Sequence, residues 1–350
     1  MKLIFISSDG IGDAILTGKI LEIVANNLHC EVYLYIKRSM NSVALFQNTN
    51  YIKTIKTFNT NFFSLSFFRD TIALFKQIHK SLKEDDVYIS ATLGSTTFVK
   101  ILPLMTLWAK LFSKHKLIII AIKPCLDISK EHIIAYHIKK FEETLDVKFQ
   151  TDDSSRENFL ENFIGGKYAK EPKTITILAG ASNLKKTLPA QKFAKIIKHF
   201  ACNGYKIKLL GSKSDVDQFQ ANEIMRLISG SVHIENLAGK TNLKEYFTEI
   251  AKAEYVITND SSGQHIANVL HTPCAVFWAR KKENPVVKAY AWQNKMTVNI
   301  FSQNYEDCNE CSILKKLFLK KSHCHKCMKQ NYDAMDASYL IKEIESHIKG

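Results

Sequence analysis

Ile257-Thr258-Asn259-Asp260-Ser261-Ser262-Gly263-Gln264-His265 is the stretch on which the reading of this chain turns. An apolar run, Tyr255–Ile257, stops at a short polar turn, and a helix-compatible segment, His265–Leu270, follows. Backbone N–H groups at a helix start have no intrahelical partner. With the helix dipole they make a ready site for phosphate or another anion. Asp260 adds a carboxylate, and Ser261, Ser262 and His265 add hydrogen-bonding groups. The expectation is an α/β fold with a phosphorylated ligand held beyond the carboxyl end of a strand.

The rest of the chain extends this pattern. Strands are expected at Lys2–Ile6, Cys30–Ile36, Tyr51–Thr57, Asp86–Ser90 and Lys116–Ile122, with helices at Asp13–Asn26, Phe67–Leu82 and Thr97–Phe112 between them. Strands alternating with helices imply a parallel sheet covered on both faces. The polar segment Gln150–Pro172, with Asp152-Asp153-Ser154-Ser155 and Gly165-Gly166, loses the alternation and reads as a domain boundary. The pattern then restarts, with strands at Thr174–Leu178, Lys206–Leu210, Tyr255–Thr258 and Cys274–Phe277. Helices are expected at Lys192–Phe200, Asp215–Leu227, Leu243–Lys252 and, last, Asp336–Ile348. Two α/β domains are expected, 1–165 and 172–335, followed by a helix in 336–350.

Charge narrows the partners. Forty-eight Lys and Arg against 34 Asp and Glu give a net +14 in 350 residues. The basic residues are spread along the chain and no nucleic-acid-reading motif accompanies them, so an anionic lipid or substrate is favoured over nucleic acid. The apolar run at the N-terminus is too short for a signal-peptide core. Lys100, Pro103 and Lys110 interrupt the longest apolar region, Phe98–Phe112, so no membrane span is expected. A cytoplasmic location follows as an expectation.

Other strand-end turns carry candidate chemistry. Ser7-Ser8-Asp9-Gly10-Ile11-Gly12-Asp13 lacks the three-glycine dinucleotide fingerprint. Asp13 reads either as a helix N-cap or as a carboxylate available as a general base. Leu178-Ala179-Gly180-Ala181-Ser182 is a small-residue loop that a ligand can approach closely. Lys185 and Lys186 follow it, as a solvated pair or as a clamp on a diphosphate, and Pro189 suits a first helical turn. Asp215 reads as a cap of the next helix or as an acceptor for ribose hydroxyls.

Ile11-Gly12-Asp13, Gly180-Ala181-Ser182 with Lys186-Thr187-Leu188-Pro189, Leu237-Ala238-Gly239-Lys240-Thr241, and Asn259–His265 together resemble glycosyltransferase family 9, the lipopolysaccharide heptosyltransferases. They occur in the family's order and cover nearly the whole chain. The resemblance implies a GT-B fold of two Rossmann-like domains, the first binding acceptor and the second nucleotide sugar, with the active site between them. It implies inverting transfer of heptose from ADP-L-glycero-D-manno-heptose to the inner core of lipopolysaccharide or lipooligosaccharide. Asp13 matches the proposed catalytic base and Lys186 the lysine on the donor diphosphate. Asp260, Ser261, Ser262 and Gly263 match the donor loop, with Ser182, Asp215 and His265 as further donor candidates. Leu188 departs from a frequent aromatic, and Phe277-Trp278-Ala279-Arg280-Lys281-Lys282 from a Gly-Pro-rich turn. Another nucleotide sugar is the near alternative.

Of eight cysteines, Cys30, Cys125, Cys202 and Cys274 are scattered and expected to be reduced thiols. Cys308-x2-Cys311 and Cys324-x2-Cys327 have zinc-ribbon-like spacing, with His323 and His325 alongside. A structural zinc is set ahead of free thiols or a local disulfide, and no catalytic cofactor is expected because the resemblance implies metal-independent transfer. The competing class is a basic, zinc-containing nucleic-acid-binding protein. Phe98, Leu102, Leu104, Leu107, Trp108, Leu111 and Phe112 lie among Lys100, Lys110, Lys114 and Lys116, with Phe62, Phe63, Phe67 and Phe68 as a second group. These read first as helices packed on the sheet, and second as a patch facing an anionic inner membrane.

Overall fold

The computed structural model describes residues 1–7, 10–38, 42–59, 64–91, 102–121, 132–151, 158–279, 291–292, 296–303 and 325–349. The chain divides into two compact units, Met1–Gly166 and Lys167–Gly350.

The first unit runs β1 (Lys2–Ser7), α1 (Ile11–Leu28), β2 (Glu31–Lys37), β3 (Ile52–Phe58), α2 (Leu65–Ser81), β4 (Val87–Ala91), α3 (Leu102–Phe112), β5 (Leu117–Ala121), α4 (Ile133–Leu145) and α5 (Phe159–Ile164). All its strands pair parallel, in the order β3-β2-β1-β4-β5. β1 sits in the middle and is buried on both faces, which is why Leu3-Ile4-Phe5-Ile6 is a continuous apolar run rather than an alternating one. Phe67, Leu74 and Ile78 of α2 pack with Met105 and Ala109 of α3 against Ile4, Ile6 and Ile89. α1 buries a Lys19–Glu22 ion pair at 2.8 Å. Gly18 makes room for the Phe159 ring, which a Cβ at that position would strike. His137 of α4 is fully buried against Phe5 and Ser90, and burial pulls its pKa down to about 3, so it is neutral in the fold.

The second unit runs β6 (Glu171–Leu178), α6 (Ala190–Cys202), β7 (Lys206–Leu210), α7 (Asp215–Ile228), β8 (Glu235–Asn236), α8 (Leu243–Lys252), β9 (Ala253–Asn259), α9 (Ser262–Val269), β10 (Cys274–Trp278), β11 (Thr297–Phe301), α10 (His325–Ala334) and α11 (Ala337–Lys349). Its sheet is again parallel, in the order β11-β10-β9-β6-β7-β8. One core joins Ile175 and Ile177 of β6 to Phe193, Ile224, Ile257 and Phe277, and to Leu340 and Ile344 of α11.

Some sequence expectations change. The segment read as a domain boundary, Gln150–Pro172, holds the division between the two units after Gly166, but it also contains α5, and β6 already begins at Glu171. α5 is started by Asn158, whose side chain accepts from Leu160 N at 3.0 Å. Cys30 and Cys274 are buried free thiols, pushed up to about 11 and about 12 by desolvation, and Cys202 is exposed. Cys125, Cys308, Cys311 and Cys324 lie outside the described residues, as do His323, Phe62, Phe63, Phe98, Lys100, Asp152–Ser155 and Arg280–Lys282. Cys327 and His325 fall on α10, but their side chains are outside the description. Among the described residues no helix is long and apolar enough to cross a membrane.

Candidate functional site

In the second sheet the strand order reverses between β6 and β9. The connections leave these two neighbours in opposite directions along the sheet, and ligands bind beyond the carboxyl ends of strands at such a point. Leu178 at the end of β6 stands in register with Thr258 near the end of β9. The loops that follow, 179–189 and 260–261, are therefore neighbours by topology.

Asn259, fully buried, ties them. Its Nδ2 donates to Ala179 O at 2.8 Å and Gly180 O at 3.2 Å, and its Oδ1 accepts from Leu188 N at 3.0 Å. One amide thus serves both ends of the loop that carries Lys186. Gln220 of α7 braces the same loop, donating to Thr187 Oγ1 at 2.6 Å and Leu188 O at 3.2 Å. Asn183 shapes the middle by accepting from Lys185 N at 2.9 Å, which starts the short 3-10 turn Leu184–Lys186. Lys186 is half-buried, and its ammonium has no hydrogen-bond or ion-pair partner among the described residues. Ser182 is exposed on the same loop.

On the other side, Ser261 is the N-cap of α9: its backbone is extended and its Oγ accepts from Gly263 N at 3.3 Å. Thr258 Oγ1 lies 3.1 Å from that Oγ and sets its position. Gly263 sits where a Cβ would collide with Leu178 and approach Thr258 Oγ1 to 2.8 Å, so glycine lets the helix start lie directly on the strand ends. Ser262 and Asp260 are half-buried at this start, and Gln264 Nε2 donates to Asp260 Oδ1 at 3.4 Å. His265 is buried rather than presented beside the serines.

Two capping assignments move. Asp215 is exposed at the first position of α7, and the cap is Ser214, which accepts from Asp217 N at 3.2 Å. Asp217 accepts from Ser212 N at 2.6 Å, and its carboxylate occupies the space a Cβ on Gly180 would need. The Ser214-x-x-Asp217 spacing was the available signal for it. In the first unit, Asp13 is not the N-cap of α1. Gly10 is, in extended conformation and with no side-chain cap, and Asp13 stands exposed in the first turn. It follows β1, beside β4, where the first sheet reverses its own strand order.

Replacing Asn259 by Leu would strand the Leu188 N–H and the Ala179 and Gly180 carbonyls. Each buried polar group left unsatisfied costs about 1–3 kcal/mol. Denaturant unfolding of Asn259→Leu is expected to show a loss of at least about 3 kcal/mol, whereas a loss under about 1 kcal/mol would mean the loops do not depend on this tie.

Two parallel α/β units with these switch-point loops have the architecture of the GT-B fold class. The sequence pattern of glycosyltransferase family 9 (heptosyltransferase) matches residues 111–317, more than half of the chain, and the chain belongs to that family. It is 30% identical over 95 residues to lipopolysaccharide heptosyltransferase 2 of Salmonella typhimurium, a match covering 27% of each chain. The aligned part therefore spans only about a quarter of that relative's length. Among solved structures, a family 9 glycosyltransferase from Veillonella parvula superposes with a TM-score of 0.69 at 16% identity, covering 99% of this chain and 97% of that one. The E. coli heptosyltransferase WaaC with ADP gives a TM-score of 0.65 at 13% identity, covering 99% and 100%. At such identities the superpositions speak for the fold.

Proposed function

We propose that this chain is an inverting glycosyltransferase that moves heptose from ADP-L-glycero-D-manno-heptose to the inner core of lipopolysaccharide or lipooligosaccharide. The observation that carries the reading is the Asn259 tie, which holds the loop bearing half-buried Lys186, an ammonium with no hydrogen-bond or ion-pair partner among the described residues, to the strand end that leads into α9. A cation and a row of backbone N–H groups fixed at one switch point suit a diphosphate. Ser182, Asp260, Ser261, Ser262 and Gly263 border that place, and Asp215, exposed at the start of α7, is the remaining donor candidate. His265 supports the helix from within.

The reaction is one displacement. The acceptor oxygen bonds to the anomeric carbon as the bond from that carbon to the diphosphate oxygen breaks. Asp13 takes the acceptor hydroxyl's proton, and the electron pair leaves with ADP, whose added charge meets Lys186 and the α9 N–H groups. Such preorganised donors are each worth roughly 3 kcal/mol. The first unit takes the acceptor and the second the donor. The acceptor is lipid-borne, so the enzyme works at the cytoplasmic face of the inner membrane. Zinc on Cys308, Cys311, Cys324 and Cys327 would be structural and outside this chemistry.

A panel of nucleotide sugars with truncated lipopolysaccharide acceptors, read by mass spectrometry, tests the reading. A heptose-sized gain with ADP-heptose alone is expected. A gain from another sugar nucleotide would move the donor assignment, and binding of RNA without binding of ADP would overturn the class.

A further inference from the structure

α2 and α3 lie side by side. The His79 and Trp108 rings are 5.2 Å apart, and Ser113 Oγ donates to Leu82 O at 3.3 Å. Their inner faces supply the core residues Phe67, Leu74, Ile78, Met105 and Ala109. The first expectation, helices packed on the sheet, accounts for these residues and leaves the outer faces unexplained. Those faces are apolar too. On α3, Leu104, Leu107 and Leu111 repeat at helical spacing and are exposed by 68, 56 and 66%, with Phe112 beside them at 72%. On α2, Leu65, Phe68 and Ile72 form a second stripe, exposed by 50% or more. Single exposed leucines mean little, but seven large apolar side chains exposed on two neighbouring helices exceed such scatter and mark an interaction surface.

The charge around the stripes selects the occupant. Arg69, Lys76, Lys80 and Lys83 on and after α2, and Lys110, Lys114 and Lys116 on and after α3, are all exposed. The one acidic residue within the two helices is Asp70, whose carboxylate is held by Arg38 at 2.9 Å; after α2, Glu84 pairs with Lys2, Asp85 with the N-terminal amine, and Asp86 lies 3.6 Å from His115. A second copy of the chain docking patch to patch would set these cations against their own kind. A surface with anionic headgroups above apolar acyl chains accepts both features at once.

We propose that the outer faces of α2 and α3 seat the first unit on an anionic lipid bilayer, with the leucine and phenylalanine side chains among the acyl chains and the lysines at the headgroups. This deepens the proposed function and rests on its membrane-borne acceptor only for preferring a bilayer to a protein partner. The helices lie on the surface and do not span it.

The test is sedimentation of the full chain, with neither sugar substrate present, with vesicles of phosphatidylcholine alone or containing about 30 mol% phosphatidylglycerol. Binding to the anionic vesicles is expected to be at least about tenfold stronger than to neutral ones and to weaken in about 0.5 M salt. The triple variant Leu104→Ser, Leu107→Ser, Leu111→Ser should lower partitioning about a hundredfold, with an unchanged melting temperature because these side chains are already exposed. Lys110→Glu with Lys114→Glu should lower it at least about tenfold, at about fivefold per basic residue lost. Absence of binding to anionic vesicles, or binding indifferent to the leucines, overturns the proposal. So does a dimer in sedimentation velocity that the triple variant dissociates while vesicle binding is absent. Transfer activity enters none of these readouts, so this inference and the enzymatic assignment fail separately.

Discussion

Asp13→Asn is expected to lower the proposed heptosyl transfer by about a thousandfold or more while leaving ADP affinity within about twofold. The substitution keeps shape and removes basicity. Gly10, not Asp13, caps α1, so the helix does not depend on this carboxylate for its start. The dipole contribution of one acid in the first turn is about 0.3–1 kcal/mol, too little to unfold a helix that is buried from Ala14 to Ala25. Activity and stability should therefore separate. Isothermal calorimetry with ADP, thermal melting and single-turnover kinetics together read all three quantities. Transfer retained within tenfold of wild type would remove Asp13 from the role of base. Lost ADP binding would mean that the first unit contributes to the donor site.

Lys186→Ala is expected to act on the other partner of the reaction. Removing a fixed cation from a leaving diphosphate should cost about a hundredfold or more in kcat/KM, with ADP affinity falling alongside. Lys186 is half-buried and its ammonium is unpartnered among the described residues, so its loss breaks no hydrogen bond or ion pair among them and the melting temperature should hold. Lys186→Arg should restore part of the affinity, because charge is kept while the geometry of the donor group changes. Lys185 is the built-in control: it is exposed on the same turn, and Lys185→Ala should change kcat/KM by less than about threefold. Equal effects at the two positions would indicate a diffuse field rather than a specific clamp.

Much of this architecture was legible in the sequence because parallel strands, buried on both faces, write themselves as apolar runs. Lys206–Leu210 and Leu243–Lys252 stand where the pattern put them. What escaped notice lacked that signature. β8 is two residues long, and β11 is only half-buried at a sheet edge. α4 carries Ile133, Ile134, Ile138 and Phe141 at helical spacing, but with the buried His137 in their midst. At the site, the motifs pointed to candidate ligand residues and not to those that hold the loops. Asn259 looks in sequence like one more polar turn residue. Only the pairing of β6 with β9 places it within reach of Ala179, Gly180 and Leu188, some 70 to 80 residues away. The same holds for the carboxylates in the first turn of α7: Asp215 and Asp217 differ little in sequence, yet one is exposed and the other fills the space beside Gly180.

The single core that joins Ile175 to Ile344 bears on how the protein is made. Tyr332, fully buried, donates to Phe277 O at 2.9 Å, and Lys192 reaches across to the carbonyls of Asp333 and Met335. A chain leaving the ribosome can close the first unit once α5 has emerged, but the second must wait for α11, more than 160 residues after β6. Throughout that interval β6 and its neighbours lack their last covering helices. The second core is thus the last part of the protein to close, and a premature stop between Gly166 and Leu340 would release a finished first unit joined to an unfinished second, a natural substrate for quality-control proteases.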